Sequence, residues 1–360
     1  MSTSTTRALD HLGFIHLVPF DRDDPARGLR EGIELFKFAE ELGLDSGWVR
    51  TRHMQYGLPS PAVYFAALAQ HTERIGLGSA VIPVGHENPY RLAEDLAVAD
   101  VLSGGRVLPG LSVHPPAFTE EVNDLVFDEG WMGSDFSYRR IERLRDFLAG
   151  ASVREKPEYQ GFGGDIDSER VEPHSPGLSD RLWYGGGSLK SAAWAGSAGL
   201  NWLMSNISSA EDGVEDFSLN QANQIETFRK ARADDGAGAG TSGAKGPAGD
   251  GPAADGRVSI ARVIVPTDGA SPEQVRKYRA YAEARTPRTK KVHGKNTIIA
   301  TDVLGSNEEI VDRLLSDPAF QQSDDYLFEL PFEFELEDWK HILHQLATEI
   351  GPKLGWTPTV

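Results

Sequence analysis

Cysteine is absent from all 360 residues, which excludes disulfides, thiol nucleophiles and thiolate-bound metals together. Basic residues are scarce. Against 54 Asp and Glu stand 36 Lys and Arg, a formal net charge of −18, so no basic stripe is available to follow a phosphate backbone and no nucleic-acid partner is expected. Long apolar runs are missing as well: none approaches the ~20 residues of a membrane-spanning helix. The N-terminal stretch "MSTSTTRALDHLGF" lacks the apolar segment of a secretory signal. The expectation is a soluble, cytoplasmic protein with no membrane partner. Metal-ligand spacing is also lacking, with no His-x-His after the first apolar run and no His-Glu-x-x-His anywhere, so no metal site is expected.

What the chain does contain is a strand-then-helix alternation along nearly its whole length. "LGFIHLVPF" reads as a first strand, and "LREGIELFKFAEELG" as its helix, with Leu29, Ile33, Phe36 and Leu42 on one face. "SGWVRT" is a second strand, and Ser60-Pro61 opens the following helix as cap and first helical residue. "RIGLGSAVIP" and "RVLPGLSV" are the third and fourth, separated by a helix that Gly104-Gly105 stops. "RVSIARVIV" and "YLFELPF" are the seventh and eighth. Ser271 with Gln274, and Ser306 with Glu309, fit capping boxes. Eight such units predict one α/β domain over 1–360, a (β/α)8 TIM barrel with insertions after strands four and seven. Residues 153–174 read as a Gly-bearing hairpin insert. Residues 233–256, before strand seven, form a Gly/Ala-rich tract too poor in large apolar side chains to pack, and read as a flexible loop.

Strands five and six lie within "RLWYGGGSLKSAAWAGSAGLNWLMSN", residues 181–206. Leu182 to Tyr184 form a short buried strand, Ser188 is a natural helix cap, and Gly199 ends the helix. Gly185, Gly186 and Gly187 let the backbone approach a ligand, with helix N–H groups pointing at it, a setting suited to phosphate. A tight strand-to-helix turn with no ligand explains the same residues equally well. "GLGSAV" is an incomplete dinucleotide fingerprint, and the GGGS segment lacks the lysine spacing of a P-loop.

Taken together these motifs resemble the bacterial luciferase-like monooxygenases, flavin-dependent (β/α)8 barrels. The most specific signature is "TERIGLGSAVIPVGHENPYRLAEDLAVADVLSGGR"; "ELGLDSGWV", "LWYGGGSLKSAAWAGSAG" and "VLGSNEEIVDRLLSD" match in the same order. The resemblance implies that Gly186, Gly187, Ser188 and Ser191 cradle a flavin phosphate and that Ala80 and Val81 run against the isoalloxazine ring. Some members carry a non-proline cis peptide there. Ser112 and Tyr138 fall where relatives approach the cofactor.

Departures occur at the catalytic positions. In luciferase itself an acid and two histidines follow strand two; here Thr51 and Arg52 replace the acid and the first histidine, leaving His53. After strand four, Ser112, Val113 and His114 replace a reactive cysteine and its neighbours. Light emission with aldehyde oxidation is therefore not expected. Arg52, His53 and His114 are the candidate catalytic residues, with a rim salt bridge as the alternative for Arg52 and an exposed loop site for His114. His16 reads as a packing residue, and His86 as part of the turn before the third helix.

The implied activity is a two-component monooxygenase: reduced FMN, supplied by a separate NAD(P)H–flavin reductase, reacts with O2 to a hydroperoxide that oxygenates a small organic substrate. Relatives using the 8-hydroxy-5-deazaflavin coenzyme for hydride transfer share the same barrel and phosphate segment. A non-catalytic partner subunit is a third reading. A homodimer through the second and third helices is also implied. The segment "RTPRTKKVHGKNT", 285–297, resembles by position the loop that covers the site in relatives; its basic residues either meet an anion or are solvated.

Overall fold

The computed structural model describes residues 9–113, 122–127, 133–155, 167–211, 213–234, 256–289 and 296–359. Eight parallel strand units carry the fold: β1 His11–His16, β2 Ser46–Val49, β3 Gly76–Ser79 resuming at Ile82–Pro83, β4 Val107–Leu108 resuming at Gly110–Ser112, β5 Trp183–Gly185, β6 Asn201–Met204, β7 Val258–Pro266 and β8 Asp325–Glu329. Helices α1 Pro25–Glu41, α2 Pro61–Leu68, α3 Pro89–Ser103, α4 Arg139–Leu148, α5 Leu189–Ser197, α6 Phe217–Asp234, α7 Pro272–Thr289, α8 Asn307–Ser316 and α9 Leu336–Gln345 alternate with them. Parallel pairing joins each strand to the next from β1 to β8, and β8 to β1. The sheet thus curls on itself in a TIM-barrel-like α/β fold, as the alternation predicted.

The interruptions in β3 and β4 lie side by side. Pro109 has no N–H to give the ladder, and the Ala80–Val81 peptide is cis. The Ser79 hydroxyl bridges the two breaks, donating to the Gly110 carbonyl at 3.0 Å and accepting the Gly110 N–H at 2.9 Å. A Cβ on Gly110 would land on the Ser79 carbonyl, so only glycine lets the strands meet here.

Two apolar layers hold the fold. Inside the curl, Ile15, Trp48, Leu108, Trp183, Leu203, Ala261 and Leu327 pack together, with the Trp48 and Trp183 rings edge to face at 5.5 Å. Gly78 makes room for the Trp48 indole, whose N–H donates to Ser46 Oγ at 2.9 Å. Outside, one inward stripe of each helix covers the sheet; Leu92, Leu96 and Ala99 of α3 are fully buried or nearly so. Each large side chain so buried is worth about 1.5–3 kcal/mol. The capping boxes form as the sequence implies: Gln274 N–H donates to Ser271 Oγ at 3.2 Å, and Ser306 exchanges hydrogen bonds with Glu309.

Two stretches differ from expectation or fall outside the description. Arg285 to Thr289 are not loop but the last turn of α7, which carries Pro287 within it; Thr297–Ile299 pairs antiparallel with Ile207–Ser209. The centre of the expected hairpin (156–166) and nearly all of the Gly/Ala-rich tract (235–255) lie outside the described residues. Of the hairpin's flanks, Val153 N–H donates to the Glu169 carbonyl at 2.8 Å. Among the described residues no helix is long and apolar enough to cross a membrane.

Candidate functional site

A cavity of about 460 Å³ opens where the C-terminal ends of β1, β2, β3, β5 and β6 converge. Working residues gather at this end of a parallel barrel because the strand-to-helix loops project there. Ile15, Leu203 and Met204 supply apolar wall; the Ala80–Val81 backbone supplies another, and Gly185 to Gly187 a third. A Cβ on Gly185 would run into Val81 Cγ1, and one on Gly186 would sit 2.6 Å from Trp202 Cη2 and 2.8 Å from Ser191 Oγ. Gly185 is therefore required by close packing of the β5 turn against the β3 break, and Gly186 by its packing against Trp202 of β6 and Ser191 of α5.

The opposite wall is polar and comes from one loop, Arg50 to Gln55. Arg50 N–H extends the sheet by donating to the His16 carbonyl, and Arg52 N–H turns the chain back by donating to the Leu58 carbonyl at 2.8 Å. Thr51 Oγ1 and His53 Nε2 are buried without a hydrogen-bond partner among the described residues, and so is Arg50 Nε. Buried polar atoms are nearly always satisfied, so three orphans within one cavity-lining loop mark that loop as the place for a polar-edged ligand to bind. A flat heteroaromatic ring between apolar walls, its polar edge toward this loop, fits that donor set.

Charge at the wall is uneven. Arg50 pairs with Glu329 at 3.0 Å, both side chains largely buried. Among the described residues Arg52 has no such carboxylate; burial, then the neighbouring Arg50, pushes its pKa down to about 10. His53 meets the His86 ring edge-on at 5.4 Å, and burial with that neighbour lowers its pKa below the ordinary 6.5. The shift favours the neutral ring of His53, a residue of the cavity lining whose buried Nε2 accepts or donates according to tautomer.

At the N-terminus of α5, Ser188 caps the helix, and Ser188 and Ser191 bond each other as a box, hydroxyl to hydroxyl at 2.7 Å. The first helical N–H, that of Leu189, donates to Glu211 Oε2 at 2.6 Å. A carboxylate from the chain itself therefore sits where the helix end favours an anion.

The structure brings Arg52, His53, Ala80, Val81, Gly186 and Gly187 to one cavity. Ser188 and Ser191 stand just behind the glycines and do not line it. Tyr138 stacks on Trp194 at 3.8 Å and meets Tyr184 edge-on, a packing position. Ser112 ends β4 paired with Pro83, which lines the cavity, but is not itself part of the lining. His114 lies outside the described residues. His16 is fully buried against Trp339, as a packing residue, and His86 occupies the turn before α3, 3.3 Å from Asn123 Oδ1. The rim salt bridge considered for Arg52 is made instead by Arg50. Arg50, Glu329 and Glu211 had not been singled out; the lone carboxylate in the apolar strand "YLFEL" was a legible signal for Glu329. Among the described residues no cluster of metal-ligating side chains occurs.

Comparison with known proteins agrees with this geometry. The family model for luciferase-like monooxygenases matches residues 11–243. Limonene 1,2-monooxygenase of Rhodococcus erythropolis is 27% identical over 251 residues, 61% of this chain and 62% of that protein. The F420-dependent glucose-6-phosphate dehydrogenase of Amycolatopsis mediterranei is 36% identical over 187 residues, 49% of this chain and 53% of that one. The chain thus spans less than two thirds of the length of these curated relatives. Among solved structures, the oxygenating constituent of 3,6-diketocamphane monooxygenase of Pseudomonas putida, a complex with FMN, superposes with a TM-score of 0.66 at 14% identity, covering 98% of this chain and 100% of that one. The chain belongs to the luciferase-like monooxygenase family.

Proposed function

We propose that this protein is the oxygenase of a two-component system, using reduced FMN from a separate NAD(P)H–flavin reductase, and O2, to oxygenate a small organic substrate. The observation that carries this is the cavity in which the Ala80–Val81 backbone and Gly185–Gly187 face the unsatisfied polar atoms of Thr51 and His53 and the Arg52 side chain. When bound, the reduced flavin supplies the electrons that activate oxygen. The chain's own part is to seat the ring between Ile15, Val81 and Leu203, to hold positive charge at the ring edge with Arg52, and to hold or pass a proton at His53 Nε2. Apolar walls keep water from that site. Gly186 and Gly187, with Ser188 and Ser191 behind them, are the candidates for the phosphate end. A homodimer through α2 and α3 belongs to this reading, supported by the exposed Val63, Val98, Val101 and Leu102 on those helices.

A second reading is hydride transfer with a deazaflavin coenzyme, favoured by the 36% identity to the F420-dependent dehydrogenase. Anaerobic titration with reduced FMN, and separately with reduced deazaflavin coenzyme, decides between them. Tight FMN binding followed by a long-lived oxygen intermediate on admitting air supports the oxygenase. Preference for the deazaflavin, with no reaction toward O2, rules it out.

A further inference from the structure

Two histidines stand between two cavities. His53 lines the inner cavity; His86, in the Val84–His86 turn before α3, lines a different one of about 480 Å³ beside Glu87, Tyr90, Phe127, Arg140 and Arg143. The two linings have no described residue in common, yet the His53 and His86 rings meet edge to face at 5.4 Å. An imidazole pair thus spans the wall between the cavities. His86 is held from its far side. The short helix Asn123–Val126 brings Asn123 Oδ1 to 3.3 Å from His86 Nε2, and the Phe127 ring stands edge-on to His86 at 5.5 Å. An amide oxygen only accepts, so this bond places a proton on His86 Nε2 and supports the charged ring, which donates from both nitrogens. His53 lacks that support: its buried Nε2 has no partner among the described residues.

We infer that His53 and His86 are one acid–base unit sharing a single proton across this wall, with His86 its seat on the surface side; as the proton crosses, an N–H bond of His86 breaks and one of His53 forms. The inference rests on the reading of the inner cavity as the flavin site, where His53 holds or passes a proton. Two like charges so close repel, which opposes a second proton on the pair. Burial, then His86, lowers the His53 pKa, in the same sense. Arg50 and Arg52 are the charged groups on the His53 loop. On the His86 side Arg140 is tied to the Val84 and Glu87 carbonyls, Arg143 adds positive charge, and Asp124 follows Asn123 on the short helix. Glu87, whose carboxyl pKa burial raises, titrates there as well.

The test is a pH titration of the full-length protein with 15N-labelled histidine rings, followed by NMR, with FMN binding measured separately by fluorescence. In the natural protein the His53 and His86 signals should each move in two steps, every ring reporting its neighbour's proton as well as its own. His86→Phe keeps a ring against His53 and Phe127 and has no proton to share. His53 should then titrate in one step, its midpoint raised by about half a pH unit or more, the least that two charges 5.4 Å apart give even in water. His53→Phe should do the same to His86, and Glu87→Gln should leave both two-step curves in place. The buried His16 ring, seen in the same spectra, marks the folded state of each variant. A folded His86→Phe protein whose His53 midpoint stays in place overturns the inference, and if that variant does not fold, an unmoved His86 midpoint in His53→Phe does so. Loss of the second step in Glu87→Gln also overturns it, by making the carboxyl the partner. Coupled titration in a protein that takes up neither FMN nor deazaflavin would sustain the pair and remove the flavin reading beneath it; FMN binding with uncoupled histidines would do the reverse.

Discussion

Glu211 accepts the Leu189 backbone N–H at 2.6 Å, placing a carboxylate on the first turn of α5 beside the glycines proposed to take the flavin phosphate. Asn220 Oδ1 accepts the Glu211 N–H at 3.3 Å and fixes it there. A phosphate arriving at this helix end must displace that carboxylate or bind beside it, against charge repulsion. Glu211→Gln should therefore tighten FMN by about tenfold while leaving riboflavin, which has no phosphate, within about twofold. Fluorescence quenching by the two ligands checks this. Equal changes for both would mean the phosphate is bound elsewhere.

Gly185 abuts Val81 at the cavity wall, and a Cβ there would overlap Val81 Cγ1. Val is branched at Cβ and cannot swing aside, so the Ala80–Val81 wall must move. Gly185→Ala should lower stability by about 1–3 kcal/mol and weaken flavin binding beyond what the stability loss explains. Thermal melts with and without FMN separate the two effects; a variant with unchanged melting and binding would show that the wall is not held by this contact.

Much of this was legible in the sequence for a physical reason: apolar runs, caps and glycines act over a few residues. The eight strand units, the caps at Ser188 and Ser306 and the glycine turn after Tyr184 are such local features. The interruption of β3 at Ala80–Val81 was legible only through family resemblance, since nothing in "GSAVIP" alone demands it. The polar wall was half visible. "VRTRH" announced charge after β2, but that Arg50 rather than Arg52 takes the carboxylate depends on Glu329, 279 residues away. The start of the 285–297 segment was not legible, because "RTPRTKK" looks like a loop, whereas α7 runs through Pro287 and delivers Arg285 to Asp302.

The Arg50–Glu329 pair spans β2 and β8 with little exposure on either side. Removing one partner of a buried pair strands the other charge, at about 3–5 kcal/mol. Glu329→Ala should cost that much, since both Arg50 and Arg52 then lack their nearest carboxylate. The double variant with Arg50→Ala should be less destabilised than the sum of the singles, because its stranded charge is gone. Urea unfolding of the four proteins tests this; additive losses would show that the pair is not coupled.

His16 couples stability to pH. Its ring is wholly buried against Trp339, neither nitrogen has a hydrogen-bond partner among the described residues, and desolvation pushes its pKa from 6.5 to about 3. The native state thus holds the neutral ring, while the unfolded chain binds a proton below about 6.5. Where the unfolded state binds more protons, stability falls with falling pH. The contribution is full above pH 6.5 and drains away from there toward about 3. His53 and His341, also lowered, add to the same slope at its upper end. Carboxylates with lowered pKa values act in the same direction, but mainly below their ordinary range of ~4. Between pH 6.5 and about 4.5 the histidines steepen the fall, while Glu87 and Asp325, whose carboxyl pKa values burial raises, act against it, so the His16 share is read by comparing variants. His16→Phe keeps a ring against Trp339 and removes the titration, so the urea midpoint should fall less steeply across that window than in the natural protein, whatever its value at pH 8. An unchanged slope would mean that His16 is not the buried neutral group this packing makes it.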